Sequence, residues 1–272
     1  MNRREWVIVK GSVTGPSHIR EGVTNQDATL VTRLGTGAYV LAVADGAGSR
    51  SRSDQGARLA MDVVKGSAGD WFGTKLPADA AQWRTAVRMY AEHCLTRFDS
   101  RIARLVEEIR AEERDPRTAD DIRGDFATTL FAVIAAPPYF AYFAVGDGFL
   151  VVSRRPGGSH LLQAPSAGRD NAGETVFITS RDRDAHLTPL VLVDDRIRGI
   201  CLATDGLIEA TLELSADAGG EQMFSAPAEF EGYFNYFARP GADPSDLERQ
   251  LQSTQFAETS GDDKSMIIAV RP

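Results

Sequence analysis

Tyr39-Val40-Leu41-Ala42-Val43-Ala44-Asp45-Gly46-Ala47-Gly48-Ser49 is an apolar run that ends abruptly on a carboxylate and two glycines. Six uncharged apolar residues in succession describe a strand buried on both faces. Gly46 and Gly48 then let the backbone turn and leave the space beside Asp45 free of side chains. An acid at the rim of a core is costly unless something cationic meets it, and a metal ion would supply that partner.

The same pattern returns at Ile197 to Ala203, a second apolar run that ends on Thr204-Asp205-Gly206. Asp27 precedes a third run, Ala28 to Val31, and Asp262 precedes the last, Ser265 to Val270. In an antiparallel sheet the end of one strand lies beside the start of the next, so these four acids can gather on one rim. Asp147, in Gly146-Asp147-Gly148, can join them. Carboxylates gathered in this way repel one another, and hard divalent cations relieve the repulsion. An oxygen-only set suits Mg²⁺ or Mn²⁺, whereas zinc favours His and Cys.

The rest of the chain supplies the frame. Trp6 to Lys10 is expected to be a strand and Gly11 to Gly22 a loop. A helix is expected from Asp54, with Ala57, Ala60, Met61 and Val64 on one stripe, ending near Gly66. A much longer helix follows, with Trp83, Val87, Ala91, Cys94, Phe98, Ile102, Leu105 and Ile109 along one face, closed by Glu112-Glu113-Arg114-Asp115 ahead of Pro116. Short strands are expected at Phe126 to Ile134, Tyr139 to Val145 and Phe149 to Val152, with Gly146-Asp147-Gly148 as a hairpin turn. Arg154 to Asp184 is expected to be a partly exposed excursion, followed by strands at Leu190 to Val193 and Ile197 to Ala203. Phe230, Tyr233, Phe234 and Phe237 mark a helix ended by Pro240, and Ser245 with Glu248 forms a capping box for a last helix through Phe256. Helical blocks among antiparallel strands place helices on the faces of β-sheets, within one domain spanning 1–272.

Composition narrows the function. A net charge of −8 argues against holding nucleic acid by general electrostatics. No apolar run reaches the roughly 18 residues of a membrane span. The N-terminus runs from Met1-Asn2-Arg3-Arg4 straight into the first strand without a signal-type apolar region, and Cys94 and Cys201 lack metal or disulfide spacing. A cytoplasmic protein with reduced core cysteines is the expectation. None of His18, His93, His160 and His186 is paired at a zinc spacing. Gly46-Ala47-Gly48-Ser49-Arg50-Ser51 between strand and helix also suggests a dinucleotide loop, but Ser51 stands at the third glycine and Asp45 would face the pyrophosphate. No phosphate-loop Gly-Lys-Ser/Thr is present.

Taken in order, Asn25-Gln26-Asp27, Val43-Ala44-Asp45-Gly46, Thr128-Thr129-Leu130, Gly146-Asp147-Gly148, Thr204-Asp205-Gly206 and Asp262-Asp263-Lys264-Ser265 resemble the motif series of the metal-dependent type 2C protein phosphatases, most of all the bacterial branch. The resemblance runs from about Gly11 to the C-terminus. It implies a four-layer α/β/β/α sandwich of two central antiparallel sheets with helices outside. It implies a serine/threonine phosphoprotein phosphatase in which two Mn²⁺ or Mg²⁺ ions activate a water without a covalent phosphoenzyme. Asp45 would bridge both ions, the Gly46 carbonyl would bind one, Asp205 and Asp262 would hold the other, and Asp147 would serve a third, looser site. Gln26 replaces a family glutamate, leaving Asp27 to take over its contact with metal-bound water. Residues 154–184 would be the family's flap.

Two positions depart from that pattern. Ala47, Gly48 and Ser49 stand where many relatives carry the histidine that protonates the leaving oxygen, and His18 is the candidate substitute. Gly22 stands at the phosphate-gripping arginine, and Arg20 is the nearest replacement. The implied partners are a phosphoserine or phosphothreonine protein and a cognate kinase. The other reading the resemblance allows is a module of the same fold that binds phosphoproteins without turnover.

Overall fold

The computed structural model describes residues 5–112, 115–165, 175–216 and 222–272. Met1 to Arg4, Glu113, Arg114 and the middle of the expected excursion, 166–174, lie outside the described residues.

Two five-stranded antiparallel sheets form the centre. The first contains β1 (Val7–Val13), β12 (Lys264–Val270), β9 (Ile197–Ala203), β6 (Phe149–Arg154) and β7 (Gly158–Gln163) in that order across the sheet. The second contains β2 (Ala28–Arg33), β3 (Tyr39–Ala44), β4 (Leu130–Ala136), β5 (Tyr139–Val145) and β8 (Leu190–Val193). A two-stranded ribbon, β10 (Glu213–Ala216) with β11 (Gln222–Ser225), stands apart. The helices are α1 (Pro16–Glu21), α2 (Ser53–Phe72), α3 (Ala80–Glu112), α4 (Ala119–Gly124), α5 (Arg183–His186), α6 (Ile208–Thr211), α7 (Glu231–Phe237), α8 (Ser245–Leu251) and α9 (Thr254–Thr259).

Strand alternation builds the layers. On β3, Leu41 and Val43 face the other sheet, packed with Phe131, Val133, Leu150 and Leu202, while Val40, Ala42 and Ala44 face α2 and α3. On β12, Ile267 and Ala269 join the inter-sheet layer, whereas Met266, Ile268 and Val270 meet Phe230, Phe234, Phe237, Leu247 and Leu251 on the outer side. Three apolar layers thus separate helices, sheet, sheet and helices, the α/β/β/α sandwich expected from the motif series. Burial on both faces explains why these strands read as unbroken apolar runs.

Several local expectations fail for physical reasons. Gly11 to Gly22 is not a loop: β1 continues to Val13, and α1 begins with Pro16 at its first turn and ends on Gly22 at φ 69°. The residues that signalled a loop are that short helix's punctuation. The first long helix does not stop at Gly66 but runs to Phe72, because Ser67, Ala68 and Phe72 prolong its buried stripe. The strand expected from Phe126 begins only at Leu130. Gly146-Asp147-Gly148 is no hairpin turn, since β5 and β6 lie in different sheets and this segment carries the chain between them. The excursion from Arg154 contains an ordered strand, β7, and plants Ile178 fully buried in the α2/α3 core. Ser245 and Glu248 form no capping box: Ser245 donates both its N–H and its hydroxyl to Asp243 Oδ1, at 2.9 and 2.8 Å, and α8 ends at Leu251 before α9 starts.

The helix side of the second sheet is organised by aromatic contacts. Trp83 is fully buried and stacks between Phe72 (5.5 Å) and Tyr139 (5.7 Å), while Tyr90 meets Phe72 and Phe143 edge-on. Trp83→Ala is therefore expected to lower unfolding free energy by about 3–5 kcal/mol. Trp83→Phe should cost clearly less, because the buried Trp83 Nε1 has no hydrogen-bond partner to lose. Denaturant unfolding of the two variants checks this.

Candidate active site

The acids converge where the strands meet. Asp45 follows β3, Asp27 precedes β2, Asp205 follows β9, and Asp262 stands two residues before β12. Oxygens of Asp45, Asp147 and Asp205 all lie within 4.8 Å of one another. A second group at the same spacing contains His18, Asp262 and Asp263. The two groups share one rim, since Asp45 feels the charges of Asp27, Asp205, Asp262 and Asp147.

Each acid is held from behind. The Asp45 backbone N–H donates to Thr129 Oγ1 at 2.9 Å, and its carbonyl accepts from the Thr129 N–H (2.8 Å) and the Thr128 hydroxyl (2.9 Å). This is what the Thr128-Thr129-Leu130 motif does: it fastens the start of β4 to the end of β3. Gly46 is required by space, because a Cβ there would lie 2.7 Å from the Gln26 carbonyl oxygen and 2.8 Å from that of Ser53. A Cβ at Gly206 would lie 2.1 Å from the Asp263 carbonyl oxygen, so the turn after Asp205 presses directly on the chain before β12. Asp27 is buried and accepts a 2.9 Å hydrogen bond from the Thr204 hydroxyl.

Asp263 is the residue that sequence reasoning missed. It is 2% exposed, and its carboxylate accepts from the N–H groups of Gly15 (2.7 Å) and Gln26 (2.6 Å). Its Oδ1 also lies 2.9 Å from His18 Nδ1, a close contact without hydrogen-bond geometry. Asp263 therefore ties the β1–α1 turn, the approach to β2 and His18 to β12. Lys264, 1% exposed, donates to the carbonyls of Ser260 (2.7 Å) and Asp262 (2.9 Å), fixing the loop that carries Asp262. The only sequence signal for either was adjacency to Asp262.

The two substitute residues differ. His18 is 8% exposed, and its Nε2 lies 3.6 Å from the position a Gly48 Cβ would occupy, so the imidazole borders the loop that follows Asp45. Arg20 is exposed and donates to Ser17 Oγ at 3.0 Å, engaged with its own helix. Gln26 donates weakly to the Arg50 carbonyl (3.4 Å), supporting the same loop. Thr175, at the near edge of the expected flap, donates to Asp147.

Burial and mutual repulsion set the protonation of the cluster. Burial, partly offset by Ser265 and Thr204, pushes Asp27 up to about 8, and burial with the Asp147 and Asp262 charges pushes Asp205 to about 6. Asp45 and Asp147 are raised for the same reasons, burial first. Oxygens of Asp205 and Asp45 stand within 4.8 Å, where two bare carboxylates repel unless a proton or a cation lies between them. Buried oxygens of Asp27, Asp147 and Asp205 have no hydrogen-bond donor. Oxygen donors lacking partners, with no thiolate among them, fit hard divalent cations.

Comparison with known proteins agrees with this geometry. The sequence model of the family described as protein phosphatase 2C matches residues 14–254. Serine/threonine-protein phosphatase 3 of Escherichia coli (strain K12) is 27% identical over 274 residues, covering 97% of this chain and 98% of that protein. The fold is similar to that of the serine/threonine phosphatase Stp1 from Staphylococcus aureus, with a TM-score of 0.61 at 14% identity, covering 97% of this chain and 94% of the other. It is also similar to the catalytic domain of the serine threonine protein phosphatase PstP in complex with two manganese ions, with a TM-score of 0.56 at 16% identity, covering 97% of both chains. With the acids of five ordered motifs on one rim of this sandwich, the chain belongs to the protein phosphatase 2C family and is a protein phosphatase.

Proposed function

We propose that the whole 272-residue chain is one phosphatase domain that hydrolyses phosphoserine and phosphothreonine in proteins with the help of Mn²⁺ or Mg²⁺. The observation that carries this reading is the convergence of Asp45, Asp147 and Asp205 oxygens within 4.8 Å, with buried oxygens left without donors. Asp45, the Gly46 carbonyl, Asp205 and Asp262 are the groups that would hold the ions. Asp147 serves a third, looser position, and Asp27 holds water at the rim. Such cations, when bound, acidify a water molecule and neutralise charge on the phosphoryl oxygens.

The chain's own residues do the rest. Thr128 and Thr129 keep Asp45 in place, and Thr204 orients Asp27. His18, set beside Asp263 and facing the Gly46–Gly48 loop, donates the proton that the leaving serine or threonine oxygen takes up. A serine/threonine kinase that writes the phosphate is the implied partner. The cytosol is the implied compartment, in keeping with two buried free cysteines and with no helix among the described residues long and apolar enough to cross a membrane.

Three outcomes test the reading. Phosphate release from a phosphothreonine peptide should depend on Mn²⁺ or Mg²⁺, stop with a chelator, and fall at least about 10³-fold in Asp45→Ala. Binding of metal and phosphopeptide without any release would instead identify a non-catalytic binding module. His18→Asn should lower kcat by about 10²-fold while leaving the metal-induced gain in thermal stability unchanged. Finally, the raised carboxyls bind protons in the folded, metal-free protein that the unfolded chain releases above about pH 4. Metal-free stability should therefore fall as pH rises from about 5 to about 8, and Mn²⁺ should restore it, as read by thermal unfolding at each pH.

A further inference from the structure

The aromatic cluster around α7 serves the core only in part. Phe230, Phe234 and Phe237 are buried against β12, whereas Tyr233 stays partly open and Tyr236 is 37% exposed. Both tyrosines line a cavity of about 420 Å³ between α6, α7 and α8, together with Phe230 and Phe237. Their hydroxyls are engaged: Gln250 Nε2 donates to the Tyr233 oxygen at 3.1 Å, and Tyr236 donates to Asp246. Tyr236 meets Phe237 edge-on with 5.0 Å between centroids, and Phe230 is tilted on Tyr233 at 5.4 Å. The walls are thus set in advance, which lowers the cost of ordering them around a ligand.

The charge around this cavity is negative. Glu229 lines it, and Glu209 and Glu213 bracket the α6 residues of its wall, all three exposed. Among the described residues none of these glutamates makes a side-chain hydrogen bond or ion pair. Asp246 is already shared with Arg249, so Glu229 is the lining acid left for a ligand. Aromatic walls beside an unpaired carboxylate suit a cation on an apolar stem, whose methylenes lie on the rings while its charge meets the acid. The cavity is also near the acid cluster. A 3₁₀ turn (Asp205–Leu207) and α6 lead without a loop from Asp205 to Thr211, a path of about 10 Å at helical rise.

We propose that this cavity takes an arginine or lysine side chain of the phosphoprotein substrate, about three to five residues along an extended chain from the phosphorylated serine or threonine. This rests on the phosphatase reading and adds a substrate class to it: phosphorylation sites with a basic residue nearby.

Phosphate release by the full chain with Mn²⁺ tests this, on phosphothreonine peptides that carry Arg, Leu or Ala at each position within about five residues on either side. Arg at one of these positions should raise kcat/KM about tenfold over Ala, mostly through KM. Glu229→Gln and Tyr236→Leu, both at exposed positions, should each remove most of that gain and leave the rate on the Ala peptide unchanged. No gain from Arg at any position, a larger gain from Leu, or a gain from Arg that either variant retains in full would overturn the proposal, while release from the Ala peptide upholds the phosphatase reading. Release from no peptide at all would overturn both.

Discussion

Mutual repulsion among carboxylates on one rim is the constraint around which this molecule is built. Asp45, Asp147 and Asp205 stand within 4.8 Å of one another, and Asp27 and Asp262 are near enough to raise their neighbours' proton affinity. Left to itself such a cluster spreads apart or takes up protons. Here it cannot spread, because hydrogen bonds clamp the segments that carry it. Thr128 and Thr129 lock Asp45, Thr204 locks Asp27, Lys264 locks the Asp262 loop, and Asp263 draws three separate segments onto β12.

The sandwich makes that clamping possible. Strands buried on both faces are rigid, and their ends sit at fixed places relative to one another. Asp45 just after β3, Asp27 just before β2 and Asp205 just past β9 reach the rim because the two sheets pack through Leu41, Val43, Leu150, Leu202 and Ile267. A site on strand ends inherits the precision of the core beneath it. The long helices on either side seal the outer faces, and α1 brings His18 to the acid cluster.

Much of this was legible in the chain, and what was not has a common cause. Tyr39–Ala44, Tyr139–Val145, Leu190–Val193 and Ile197–Ala203 were readable to the residue, because an apolar run bounded by turn residues is a local signal. The gathering of acids followed from strand ends and the antiparallel rule. Non-local pairing was invisible: Gly146-Asp147-Gly148 has a hairpin's composition, and only the sheet order shows it to be a crossing between sheets. Asp262 and Asp263 are chemically identical in sequence, yet the first stays half-exposed at the rim while the second is buried as an anchor.

The proposed role of Asp45 is to hold two cations together. Electron paramagnetic resonance during a Mn²⁺ titration of the full chain tests it most directly. A magnetically coupled manganese pair is expected in the parent protein and should be lost in Asp45→Asn, with Asp205 and Asp262 still present. Manganese bound only as isolated, uncoupled ions in the parent protein, or coupling that survives in Asp45→Asn, would contradict it.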